Sequence, residues 1–135
     1  MKILAVVSLV VVMIVPALAQ DEAPAAEQSA ALAWLDLVDT ARYQESWREA
    51  AQLFRDQMLA EDWSRLVAGV REPIGGLKSR RLQSSREVGV LPGAPDGDYM
   101  ILQFLSSFDN KAHAEERVTL MREGAEWRVA GYYIR

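Results

Sequence analysis

The chain has 135 residues, half of them hydrophobic, with 19 acidic against 15 basic side chains, a formal charge of −4 and no cysteine. Without cysteine there is no disulfide framework, no thiolate metal site and no lipid-bearing cysteine, so the core alone must hold the domain. An acidic balance also argues against nucleic acid as the main partner.

Lys2 precedes an apolar run from Ile3 to Val15, followed by Pro16 and the small residues Ala17 and Ala19. A positive start, an apolar centre and a small-residue site predict a secretory signal peptide over residues 1–19, cleaved between Ala19 and Gln20. A membrane-spanning helix prefers roughly 20 apolar residues, more than this run supplies. The expected location is therefore periplasmic or secreted, with no membrane span once the signal is removed. The next stretch, "QDEAPAAEQS", is small, polar and acidic, and reads as a flexible lead-in over residues 20–29. One domain is expected over residues 30–135.

Ala31, Trp34, Leu35 and Val38 recur at helical spacing, with Asp36 and Asp39 assigned to the opposite, wet face. A second stripe follows Tyr43: Trp47, Ala50, Ala51, Phe54 and Met58. It predicts a second helix, either separate from the first or continuous with it. Glu61 and Asp62 then sit where acids favour a helix N-terminus, ahead of Trp63, Leu66, Val67 and Val70. Pro73, Gly75 and Gly76 stop that third helix.

Beyond Gly76 the period changes to two. "SRRLQSSREVGVL", "DYMILQFLSSF", "EERVTLMRE" and "EWRVAGYYIR" read as four strands, separated by "GAPDG", "DNKA" and a turn at Gly124. Helices first and strands afterwards predict an α+β fold, three helices on a four-stranded antiparallel meander.

The second strand has Met100, Leu102, Phe104 and Phe108 on one side and Tyr99, Ile101 and Leu105 on the other. In the last strand, strict alternation puts Trp127, Val129 and Tyr133 together, opposite Ala130, Tyr132 and Ile134. Both faces then look apolar, and helices can cover only one. A homodimer through the uncovered sheet face, an envelope partner, a ligand or curling of the sheet on itself is the expected cover.

The stretches "AWLDLVDTARYQESWREAAQLF", "VREPIGGLKSR", "LPGAPDGDYMILQFLSSFDNK" and "EERVTLMREGAEWRVAGYYIR" together resemble the bacterial family known as domain of unknown function 4019. The resemblance runs from about Ala31 to Arg135. It implies an exported bacterial protein with a cone-shaped fold similar to nuclear transport factor 2 and the cystatins, with a pocket between helices and a curved sheet. It assigns no catalytic residue, because such cones host isomerases, dehydratases and plain binding modules alike.

Among chemistry-bearing residues, Glu116 shares a face with Val118 and Leu120 when counted by twos, and that face is expected to point inward. A carboxylate entering a half-buried cavity is a candidate acid or base; the alternative is a strand end, solvated or paired with arginine. Arg71 and Arg80 flank "EPIGGLKS" and are placed to close on Glu116 or on an anionic ligand. With Tyr43 and Tyr132 they complete the candidate pocket set: Tyr43, Arg71, Arg80, Glu116 and Tyr132. His113, the only histidine, reads as a surface side chain, and "PDGD" as a turn rather than a calcium loop. No cofactor or metal is expected. Lys78, Arg80, Arg81 and Arg86 form a basic strand, read either as protection of a sheet edge or as a patch for anionic envelope polymers or lipid headgroups. The leading function is a non-catalytic envelope binding or scaffolding module. The alternatives are a small-ligand pocket protein and an isomerase- or dehydratase-type enzyme.

Overall fold

A computed structural model describes residues 25–135; the signal peptide expected over residues 1–19, with its Ala19–Gln20 junction, lies outside the described residues. Helix α1 spans Ala25–Asp39 and is followed by α2 (Tyr43–Glu49), α3 (Gln52–Gln57) and α4 (Ala60–Arg71). Four strands complete the chain: β1 (Leu77–Val88), β2 (Tyr99–Phe108), β3 (Lys111–Glu123) and β4 (Glu126–Ile134). They form one antiparallel sheet in the order β1-β2-β3-β4, so the α+β class and the meander hold.

Two boundaries differ from the sequence reading. Helix α1 begins at Ala25 and takes in residues 25–29, which composition had assigned to the lead-in. Alanine, glutamate and glutamine there are strong helix formers, and Glu27 is buried. The second apolar stripe is two helices, giving four in the described residues rather than three. Ala50 and Ala51 are extended (ψ 163° and 152°), and the Ala51 N–H donates to the Val129 carbonyl of β4 at 2.8 Å. Both alanines are fully buried. Their small side chains let the helix layer approach the backbone of an edge strand, and the helix gives way there.

The core lies between the helices and one face of the sheet. Trp34, Leu35, Val38, Phe54, Trp63 and Val67 from the helices meet Met100, Leu102, Phe104, Val118, Leu120 and Val129 from the strands. Full burial of each aliphatic or Phe side chain contributes about 1.5–3 kcal/mol. The Trp34 and Trp63 indoles both donate to Ser46, one to its carbonyl (2.8 Å) and one to its hydroxyl (2.9 Å). Two large rings are thereby buried without stranding a donor.

β-Bulges decide which side chains reach that core. The register slips between Thr119 and Leu120, where Gly131 and Val129 are the partners and Ala130 is the extra residue. Trp127 and Tyr132 consequently both pack on the core, while Tyr133 faces away and is 57% exposed. Strict alternation had grouped Trp127 with Tyr133; the inserted residue shifts everything after it by one.

The face away from the helices is also not the apolar surface that alternation suggested. Tyr99 is covered by the β1–β2 loop, with Gly97 against its ring and its hydroxyl donating to the Pro95 carbonyl. Ile101, Leu105 and Met121 are half-buried. Arg81, Arg86 and Arg117, which pair in register with Leu105, Ile101 and Gln103, stand exposed among them. Long arginine stems shield apolar neighbours while their charged heads stay in water.

Candidate functional site

Six elements converge on one buried polar cluster. Asp39 ends α1, Arg71 ends α4, and β1 to β4 contribute Arg80, Ser106, Glu116 and Tyr132 in turn. The register explains the meeting: Arg80 is opposite Ser106, and the inner face of β3 carries Ala114, Glu116, Val118 and Leu120. Four of the five candidates named from sequence, Arg71, Arg80, Glu116 and Tyr132, lie in this cluster.

Arg80 is its centre. Its Nη1 and Nη2 donate to Asp39 at 2.7 and 2.9 Å, and its Nε and Nη2 donate to Glu116 at 2.8 and 3.2 Å. One guanidinium therefore clamps two carboxylates, which its planar set of five donors suits. Arg71 Nη2 donates to Asp39 Oδ1 at 2.6 Å, and its guanidinium lies 4.7 Å from the centre of the Phe108 ring. Glu116 is fully buried; besides Arg80 it accepts from the Ser106 hydroxyl at 2.6 Å and from the Tyr132 hydroxyl. Arg71 Nη1 reaches the Tyr132 oxygen at 3.4 Å. Within the cluster only the Arg71 Nε lacks a protein acceptor.

Two carboxylates face two guanidiniums, so the group is charge-balanced. Burial works against the charge on Asp39, but hydrogen bonds from Arg80 and Arg71 outweigh it and hold its pKa below the ordinary carboxylate value. Burial likewise opposes the charge on Arg80, and Asp39 and Glu116 reverse that, raising its pKa. Burial and the neighbouring Glu116 charge push the Tyr132 hydroxyl far above its usual value, so it stays protonated as a donor. General acid–base chemistry needs a proton that a substrate can reach. Here Glu116 is 0% and Arg71 5% exposed, and both carboxylates are already engaged by donors of the chain itself.

Tyr43 stands apart. It is half-buried against the core and feels the charges of Glu72 and Arg71, but its hydroxyl makes no hydrogen bond to the cluster among the described residues. Asp39 and Ser106 were missed by sequence reasoning. Asp39 falls four residues after Leu35 and eight after Ala31, the step that defines the core stripe. Ser106 sits midway between the inward Phe104 and Phe108.

His113 is exposed and lines a cleft of about 550 Å³ at the β2–β3 end of the sheet, together with Ser79, Arg81, Leu105, Ser107 and Arg135. A second cleft, about 540 Å³, runs between α1 and β4 beside Trp34, Leu37 and Trp127. Asp96 and Asp98 of "PDGD" belong to an exposed loop. Among the described residues no group of three or more His, Asp and Glu side chains is arranged to hold a metal ion, and no helix is long and apolar enough to cross a membrane.

No curated protein matches the chain. A family model does, over residues 30–132, from within α1 to within β4 and including every member of the buried cluster: the chain belongs to the family of proteins of unknown function DUF4019.

Proposed function

We propose that this protein is a non-catalytic binding module of the cell envelope that engages its partner through the face of the sheet turned away from the helices. The observation that carries this reading is the closed state of the polar cluster. Its carboxylates, guanidiniums and hydroxyls are spent on one another, out of solvent, which suits a device that fixes the helices on the sheet better than one that turns over a substrate. Around the fully buried Glu116 the side chains of the cluster occupy the space between helices and sheet. The exported address rests on Lys2, the apolar run and Ala17 and Ala19.

The partner is better sought in another molecule than in a second copy. A two-fold dimer through this face would set the unpaired Arg81, Arg86 and Arg117 of one copy against the same set of the other, and like charges across an interface are unfavourable.

The reading is tested by placing photo-cross-linking residues at Ser84, on the outer face, and at Leu66, on α4, in the protein in its native envelope. Adducts should form from Ser84 and not from Leu66. Adducts from Leu66 alone, or substrate turnover abolished by Glu116→Gln in a folded protein, would overturn it.

A further inference from the structure

Charge is unevenly distributed over this molecule. Residues 25–75, which hold all four helices, carry nine acidic side chains against five arginines. The outer sheet face has the opposite sign. Reading across the strands, one row is Arg81, Leu105, Glu115 and Arg135, the next is Ser84, Gln103, Arg117 and Tyr133, and the next is Arg86, Ile101, Thr119 and Gly131. Over these three rows four arginines share the surface with one carboxylate; the rows beyond add Arg128 with Glu123 and Glu126, and Arg128 pairs with both, at 3.7 and 2.7 Å. Glu115 is held by Arg135 at 2.5 Å. Arg81, Arg86 and Arg117 have no carboxylate within salt-bridge reach among the described residues. An acidic protein therefore turns a cationic plane to the outside.

The layout of that plane says what fits it. Its cations are spread over three strands, at neighbouring-strand spacings of about 4.8 Å, and do not converge on one point as a site for a single small anion would. Within the three rows, Tyr133 is the one large apolar side chain that stands exposed. A specific protein interface has a packed apolar centre within roughly 800 Å² per partner, and here Ile101 and Leu105 are already half-covered. A cleft of about 260 Å³ lies between Arg117 and Arg135 beside Tyr133, with Gln103 and the Arg135-paired Glu115 completing its wall. Tyr133 itself, an apolar ring with a polar tip, suits a lipid–water boundary.

We propose that the outer sheet face is a docking surface for an anionic phospholipid bilayer, with Arg81, Arg86, Arg117 and Arg135 over the headgroups and the acidic helices facing away. This rests on the binding-module reading and names its partner. The attraction is electrostatic and peripheral. Each basic side chain near such a surface contributes about 1 kcal/mol, a factor of roughly five in partitioning. The acidic helices favour this orientation, because approach with the helix layer foremost is repelled.

The test is flotation of the protein, purified as the cell leaves it, with phosphatidylglycerol-containing vesicles and with pure phosphatidylcholine vesicles. Binding is expected to the first only, at low ionic strength, and to be lost at high salt. The variant Arg81→Gln/Arg86→Gln/Arg117→Gln should weaken partitioning on the order of a hundredfold. A charge-matched helix variant, Arg48→Gln/Arg55→Gln/Arg65→Gln, should bind no more weakly than wild type, and its identical change in net charge cancels contributions from elsewhere in the chain. Circular dichroism melts establish that both variants fold. Equal weakening by the two variants, equal binding to phosphatidylcholine, or full displacement by inorganic phosphate at fixed ionic strength overturns the proposal. So does binding to poly-L-glutamate without binding to vesicles, which would point to an acidic protein partner. Failure on vesicles with cross-links from Ser84 intact removes the lipid and leaves the module; failure of both removes the module as well.

Discussion

Arg80 and Arg81 are neighbours in the chain, chemically identical and on opposite faces of β1, and they meet opposite fates. Arg80 is sealed between Asp39 and Glu116, its side chain 6% exposed; Arg81 is exposed and has no carboxylate partner among the described residues. What separates them is the pleat, which sends successive side chains to opposite faces. A guanidinium under the helices must be paired, since a lone buried charge is very costly. One on the other face loses nothing by standing in water. The same residue type is therefore structural on one side and available for contact on the other.

Four measurements test how deep that difference goes. The largest effect is expected from Glu116→Ala, which strands Arg80 in the interior. Removing one partner of a buried pair costs about 3–5 kcal/mol, read as a lower denaturation midpoint at unchanged slope. If the loss were as small as that of a surface pair, the inner face would be no more committed than the outer one. Arg80→Leu should cost a similar amount. The double variant with Glu116→Leu should lose less than the sum of its parts, as expected of side chains in direct contact.

Tyr132→Phe comes next. It deletes a hydrogen bond to a charged acceptor, worth about 1.5–3 kcal/mol, and leaves the ring packed against Trp34. The third measurement is the pH profile of stability. The folded pKa of Asp39 lies below its ordinary 3.8, so its contribution is complete above that value and disappears as pH falls through the lower folded value. Tyr132 has a folded pKa above its ordinary 10.0, so its contribution is complete below pH 10 and disappears as pH rises through the folded value. Thermal melts should show a plateau between these limits, with Asp39→Asn flattening the acid limb and Tyr132→Phe the alkaline one. The smallest effect is expected from Arg81→Gln, which should change stability by no more than about 0.5 kcal/mol. A larger loss would mean that the outer arginines hold the sheet together.

The order of elements, the α+β class and four of the six cluster members were legible in the sequence, because each rests on a period that short-range sterics enforce. Glu116 could be turned inward by counting from Val118 and Leu120, and β3 itself has no inserted residue between them: its pairing with β2 runs unbroken there, and the extra residue lies in β4. The count fails in β4, where Ala130 is an ordinary strand residue until a partner strand makes it a bulge. The break at Ala50–Ala51 was equally hidden: alanine is the best helix former, and only a hydrogen bond to Val129, remote in sequence, makes it leave the helix. Asp39 was lost to a habit of reading acids as wet, although its spacing put it on the core stripe. Counting face by face also overstated how apolar the outer sheet is, since it ignored the arginines of β1 and β3 that stand between Ile101 and Leu105.

The contact between Ala51 and Val129 reaches beyond helix geometry. It occupies a main-chain carbonyl on the free edge of β4, with α3 alongside, while the edge at β1 stays open and is interrupted by register slips near Lys78 and Gln83. Endless cross-β stacking needs a vacant border on both sides of every unit. With α3 bonded across part of the β4 border, strand-to-strand association between copies is hindered on that side, and growth through the native sheet is left chiefly to the β1 edge.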